Sequence, residues 1–210
     1  MVYNIKNFLT EKSRPYYNKV QDILNTMQKT PGQQFQLYVF GGFLRDIICQ
    51  YYNPDTKFSP KDIDVWIEYT DGKAVSLHRW GYYKSKEIIE NLEQNHTVEK
   101  KVQSRVKSLY GLVRITVDSI QFDITTNINR RKDAPFYNLT DFTVNNLYMD
   151  MDGNIFKRID GDWCPYTKNQ IMLHIKHKKL VDMPFTYNDY ICSDTFDSRE
   201  FKMIQYGYRY

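Results

Sequence analysis

The stretch "SPKDIDVWIEY", residues 59 to 69, constrains this chain more than any other. Successive side chains of a strand point to opposite faces, so Asp62 and Asp64 fall on one face while Ile63, Val65 and Ile67 fall on the other. The apolar face is core. The acidic face sets two carboxylates roughly 6 to 7 Å apart along the pleat, in a conformation that disfavours Asp. Two arrangements tolerate such a pair. Either the strand lies at a wet sheet edge, where Asp blunts aggregation, or a hard cation sits between the oxygens, with Mg²⁺ the usual choice when phosphates are also present.

A chain of 210 residues is long enough for one good core. Its 29 Lys and Arg against 25 Asp and Glu leave a mild net charge of +4, compatible with a phosphate-bearing partner without requiring one. Basic residues gather in "RRK" at Arg130 to Lys132 and in "HIKHKK" at His174 to Lys179, each read first as a solvated face. Cys49, Cys164 and Cys192 are odd in number and far apart, which argues against a disulfide framework and for a reducing compartment. No cysteine pair has zinc-ligand spacing. No stretch approaches the length needed to span a bilayer, so the expectation is a cytoplasmic protein without membrane partners.

Along the chain, Ser13 and Pro15 predict the opening of a helix over 14–29, with Tyr17, Val20, Ile23, Leu24 and Met27 at helical spacing. "FQLYVF" is a short buried strand that runs into Gly41 and Gly42, and Phe43 to about Tyr52 is helical. After the acidic strand, residues 73 to 94 read mostly as helix. "YGLVRITV" and "IQFDITT", separated by Asp118 and Ser119, carry a hairpin signal, and Asp123 lies on the polar face of its strand. "DFTVNNLYMD" follows a loop, with Asp141 or Thr140 as a cap. "MDGNIFKRI" is a turn into another strand, and Phe196, Phe201, Ile204 and Tyr208 space a final helix.

Three features combine. A strand ending in Gly-Gly and opening a helix is a phosphate cradle, because exposed backbone N–H groups and the helix dipole favour an anion where no side chain obstructs it. Asp62 and Asp64 lie on the next strand, and Asp123 on a later one. If these strands are neighbours, a two-metal site becomes possible, with ions about 3.5 to 4 Å apart.

"YVFGGFLRDIICQYY...SPKDIDVWIEY" resembles the head of the CCA-adding enzymes and bacterial-type poly(A) polymerases, in the DNA polymerase beta superfamily of nucleotidyltransferases. Gly41, Gly42, Arg45 and Asp46 match that family's GG-x-x-RD motif, and Lys61, Asp62 and Asp64 match KD-x-D. The segment "IQFDITT...DFTVNNLYMDMDGNIF" is similar to its third-acid strand, with Asp123 at the acidic position, and to its RD-[FL]-T-x-N-A block, with Asp141, Thr143 and Asn145. The resemblance covers roughly residues 35 to 165. It implies that Gly41 and Gly42 hold the triphosphate and that Asp62, Asp64 and Asp123 are catalytic acids binding two Mg²⁺ ions. It implies that Arg45 and Asp46 arrange the nucleotide pocket, against the alternative of a structural ion pair or helix cap. Asp141 and Asn145 would sit near the ribose or triphosphate, against the alternative of helix capping and a local turn bond.

The chain also departs from the pattern. Leu139 and Thr140 stand where the family has two arginines, and Ile128 replaces another, with Arg130 and Arg131 close enough to clamp phosphate instead. "DTFDSREFK" keeps at best Arg199 of the helical base-reading motif and reads better as a packing helix. The expected fold is α+β: a nucleotidyltransferase fold with a mixed sheet of about five strands flanked by helices. Residues 1–165 form the head, and 166–210 a short C-terminal helical extension. The expected function is template-independent transfer of a nucleotide from a nucleoside triphosphate to a hydroxyl, most readily an RNA 3′ end, with release of pyrophosphate. Its rivals are nucleotidylation of a protein or small molecule, and an inactive nucleotide- or RNA-binding subunit. A partner chain or homo-oligomer would replace the RNA-binding domains that the family carries.

Overall fold

The computed structural model describes residues 3–70, 84–99, 110–127, 141–158, 164–183 and 193–210. The described elements are β1 (Tyr3–Asn4), α1 (Arg14–Gln28), β2 (Phe35–Phe40), α2 (Gly42–Tyr52), β3 (Ile63–Tyr69), α3 (Ser85–Leu92), β4 (Val98–Glu99), β5 (Tyr110–Val117), β6 (Ile120–Asn127), β7 (Leu147–Met149), β8 (Asn154–Lys157), α4 (Lys168–Lys176) and α5 (Ser193–Gln205). All eight strands join one sheet in the order β1-β8-β7-β2-β3-β6-β5-β4. Pairing is antiparallel except between β3 and β6, so the sheet is mixed, as expected. It has eight strands where about five were expected. The surplus comes from β1 and β4, two-residue strands too short for any periodicity, and from β7, whose three residues fall inside a segment read as following a cap.

The alternation read from the sequence decides which face is core. Val113, Ile124, Val65 and Val39 lie in register across β5, β6, β3 and β2, and all four are buried. Helix α1 packs on β2 and α3, and α2 on the sheet and α4, with α1 burying Tyr17, Val20, Ile23, Leu24 and Met27, the residues whose spacing predicts the helix. Ser13 does not cap α1. Its hydroxyl accepts the Thr10 N–H instead, at 3.0 Å, and its backbone is already helical.

The β5–β6 hairpin turns on Asp118 and Ser119, both in the left-handed region at φ +48° and +67°. That pair of conformations matches the twist of the flanking strands. Asp118 tolerates it because its carboxylate accepts the Thr97 N–H at 2.9 Å and bonds His96 at 2.8 Å, while Lys19 of α1 donates to its carbonyl at 2.7 Å. Of the helix expected over 73–94, Ser85–Leu92 is described, and Gly81 lies outside the described residues. Among the described residues no helix is long and apolar enough to cross a membrane.

Gly41 joins β2 to α2 at φ +75° and ψ −139°, a conformation open to glycine and costly to other residues. A Cβ there would also meet the Asp64 carboxylate at 2.6 Å. Gly32 has a similar φ of +69° but open space around it. Gly41→Ala is therefore expected to lose roughly 3 kcal/mol in urea unfolding and Gly32→Ala only about 1 kcal/mol. Equal losses would remove the close approach of Asp64 as a constraint.

Candidate active site

Strand register builds the site. Asp64 in β3 pairs with Phe40 in β2 on one side and with Asp123 in β6 on the other, and Asp123 pairs with Arg114 in β5. Registered partners share a face, so Phe40, Asp64, Asp123 and Arg114 form a row across the face opposite the apolar one. Asp62 sits one residue before β3 begins, not inside the strand as its alternation predicts. It lines the same cavity, about 530 Å³ in volume, as Asp64, Asp123, Gly41, Gly42 and Arg114. All three acids thus line one cavity beside the double-glycine bend.

The electrostatics follow from this crowding. Burial, then the Asp62 charge, then the Asp123 charge push the Asp64 carboxyl up to about 7, with Arg158 and Arg199 pulling the other way. Asp123 is 7% exposed, and Arg114 grips it in parallel bonds, Nε to Oδ1 at 2.7 Å and Nη2 to Oδ2 at 2.5 Å. A bidentate fork of this kind is the strongest ordinary answer to a buried carboxylate. Arg158 stacks over the Phe40 ring, 4.3 Å from its centroid, and adds positive charge at the wall.

Beside the glycines, α2 opens with no side-chain cap, which leaves its first-turn N–H groups available to an anion. A Cβ on Gly42 would crowd Arg45 at 3.3 Å. Arg45 itself is buried and fully engaged. It donates to Asp46 Oδ1 at 2.8 Å and to Asn145 Oδ1 at 2.8 Å, touches Met203 Sδ at 3.2 Å and lies over the Tyr206 ring. Asn145 in turn donates to Asp141 Oδ1 at 2.9 Å, and Asp141 Oδ2 receives Arg199 Nη1 at 3.1 Å. A continuous chain of bonds thus runs Asp46, Arg45, Asn145, Asp141, Arg199 and ties α2 to α5. Arg45 and Asp46 form the ion pair of the structural alternative, and both line the cavity. Asp141 Oδ1 accepts the Phe142 N–H at 2.8 Å without capping the short helical turn that follows, and the residue lines the cavity too.

Arg130 lies outside the described residues, as do Arg131, Leu139 and Thr140. Sequence reasoning missed Arg114, Arg158 and Lys202. For Arg114 the signal was available: a two-residue turn at Asp118 and Ser119 sets Arg114 opposite Asp123. Arg199, discounted as packing, reaches the cavity together with Lys202.

The residues fit a hard cation in kind, since three carboxylates line one cavity, where burial and then their mutual repulsion raise Asp64. Among the described residues, no three or more His, Cys, Asp or Glu are already drawn around one point. An ion on Asp123 would share its oxygens with Arg114 or displace it.

No family model matches this sequence, and no curated protein matches it. Solved structures do. The Thermotoga maritima CCA-adding enzyme complexed with tRNA superposes with a TM-score of 0.54 over 100% of this chain and 42% of that one, at 15% identity. A CCA-adding enzyme in complex with ATP gives 0.53 over 98% and 41%, at 14% identity. An apo form of a CCA-adding enzyme gives 0.52 over 100% and 45%, at 15% identity. This chain spans less than half the length of those chains. At such identities the likeness is one of fold, and the fold is nucleotidyltransferase-like.

A carboxyl raised in the fold binds its proton more tightly there than in the unfolded chain, so stability falls as pH rises from about 4 through about 7. The cost by pH 8 is on the order of 4 kcal/mol. Without added cation, wild type is expected to melt lower at pH 8 than at pH 6, with Asp64→Asn losing most of that difference in a thermal scan. An unchanged difference in the variant would assign the crowding to another group.

Proposed function

We propose that this chain is a metal-dependent, template-independent nucleotidyltransferase that moves a nucleoside monophosphate from a triphosphate to a hydroxyl, most readily an RNA 3′ end. The observation that carries this reading is the row Arg114, Asp123, Asp64, with Asp62 lining the same cavity, beside an uncapped helix start. The nucleotidyltransferase-like fold supports it. The neighbours are complexed with tRNA and with ATP, which makes both the first substrates to try here. In the same proposal, residues 1–165 are the head and residues 166–210 its C-terminal extension.

The open first turn of α2, reached past Gly41 and Gly42, receives the triphosphate. Arg199 and Lys202 on α5 and Arg158 beside Phe40 add positive charge around it. Arg45, locked by Asp46 and Asn145, positions the start of α2 and is not free to swing onto a phosphate. Asp62, Asp64 and Asp123 would hold Mg²⁺, which when bound neutralises the phosphates and lowers the pKa of the attacking hydroxyl. The hydroxyl oxygen bonds the α-phosphorus, the bond from that phosphorus to the bridging oxygen breaks, and pyrophosphate leaves with the electron pair. The hydroxyl proton has carboxylate acceptors in the same cavity, Asp64 among them. Positioning and charge neutralisation supply most of the rate in chemistry of this kind.

One observation favours a second reading, a chain that binds the triphosphate without turnover. Arg114 bonds both oxygens of Asp123 and competes with a cation for them. That reading predicts triphosphate binding without pyrophosphate release.

With Mg²⁺, each α-labelled triphosphate in turn and a pool of short and structured RNAs, the expected product is RNA lengthened on a sequencing gel. Label entering protein instead would move the acceptor to a side chain. Asp62→Ala and Asp64→Ala are expected to reduce transfer by at least about 1,000-fold while remaining folded, since each removes charge stabilisation specific to the reacting phosphate. Undiminished transfer by a folded Asp62→Ala variant would refute the assignment.

A further inference from the structure

The basic run from His174 to Lys179 plays no part in the active cavity. Helix α4 ends at Lys176, and Lys178 then turns through the left-handed region at φ +49°. Beyond the turn, Lys179 bridges Arg209 in parallel. Arg209 donates its N–H to the Lys178 carbonyl at 2.9 Å, and Leu180 donates to the Arg209 carbonyl at 2.6 Å. Two segments thirty residues apart in sequence are thereby held edge to edge. A second cavity of about 560 Å³ opens over the join, lined by Asn53, Lys176, Lys178, Lys179, Arg209 and Tyr210, with His177 beside them.

No acidic side chain lines that cavity among the described residues. Lys176 lies over the Tyr52 ring, and the Lys178 ammonium donates to the Tyr206 carbonyl at 3.5 Å. Among the described residues none of the four lasting cations pairs with a carboxylate. The end of a helix welcomes one or two positive charges. Four converging from two segments repel one another, and a polyanion relieves that repulsion with release of its counterions.

Aromatic rings accompany the charge. Tyr210 is 62% exposed at the cavity wall and Tyr206 is 37% exposed. Tyr206 also lines the active cavity, and its neighbour Gly207 lines the basic one, so adjacent residues just past the end of α5 contribute to the two cavities. Cations interleaved with exposed rings are what an unpaired strand needs, phosphates on the first and bases on the second.

We propose that the second cavity is a binding groove for single-stranded RNA, upstream of the 3′ end delivered to the active cavity, with Lys176, Lys178, Lys179 and Arg209 on its phosphates and Tyr210 under a base. The placement relative to the 3′ end rests on the RNA-acceptor reading above; the binding itself does not.

The test is fluorescence anisotropy of a labelled single-stranded RNA of about 12 nucleotides, with no triphosphate present, over a series of salt concentrations. Wild type is expected to bind with log K falling against log salt at a slope of about −3. Lys179→Glu combined with Arg209→Glu is expected to weaken binding by at least about tenfold near 0.1 M salt and to flatten the slope by at least about 1.4. Lys176→Ala with Lys179→Ala should give a smaller loss in the same direction, and binding of a fluorescent triphosphate by both variants reports an intact fold. Unchanged RNA binding by the variants, or none by wild type, would overturn the groove. Equal competition by a duplex of the same length would overturn its preference for a single strand. RNA bound through these residues but never extended would leave the groove standing and remove only the acceptor reading.

Discussion

Parallel pairing of β3 with β6 forces Asp64 and Asp123 into adjacent positions on one face, and much of what surrounds them answers that repulsion. Asp64 keeps its proton more tightly than an ordinary carboxyl. Asp123 is clasped by Arg114. The Phe40 ring beside Asp64 carries Arg158 above it. Charges of one sign are therefore not merely tolerated at the centre of this sheet but balanced from three directions. A site in that condition is poised to exchange partners, because any incoming cation or phosphate enters a field already under tension.

The second organising element is the bonded chain from Asp46 to Arg199. A buried guanidinium is held there by a carboxylate and an amide, and it joins the first helix after the glycines to the last helix of the chain. Interactions of this kind contribute little net stability against an apolar replacement, yet they fix one geometry among many. Here they set the distance between the open turn of α2 and the cationic side chains of α5.

Much of this was legible in the sequence because it was written in alternation. The apolar residues of β2, β3, β5 and β6 announced both the core and, by difference, the acidic face. The double glycine announced a bend that a side chain would block, and Gly41 meets that demand against Asp64. Less was legible where pairing replaced pattern. Strands of two or three residues, such as Tyr3–Asn4 and Val98–Glu99, have no period to read and exist only because a neighbour offers its edge. Asp62 shows the limit of alternation from the other side: the pattern extends through it, while the strand starts at Ile63. The cations around the cavity come from elements distant in sequence, and their convergence depends on the fold rather than on any local run.

The tight turn at Asp118 and Ser119 carries a consequence for what sequence change this molecule can absorb. Because two residues join the strands, every pairing between them is fixed by counting, and the Arg114–Asp123 clasp is one of those counts. Adding or removing a single residue at that corner would slide an aliphatic side chain into the place of the guanidinium and turn alternate residues toward the wrong face. The length of a two-residue connector, which touches no reactant, is as much a part of the working surface as the charges themselves.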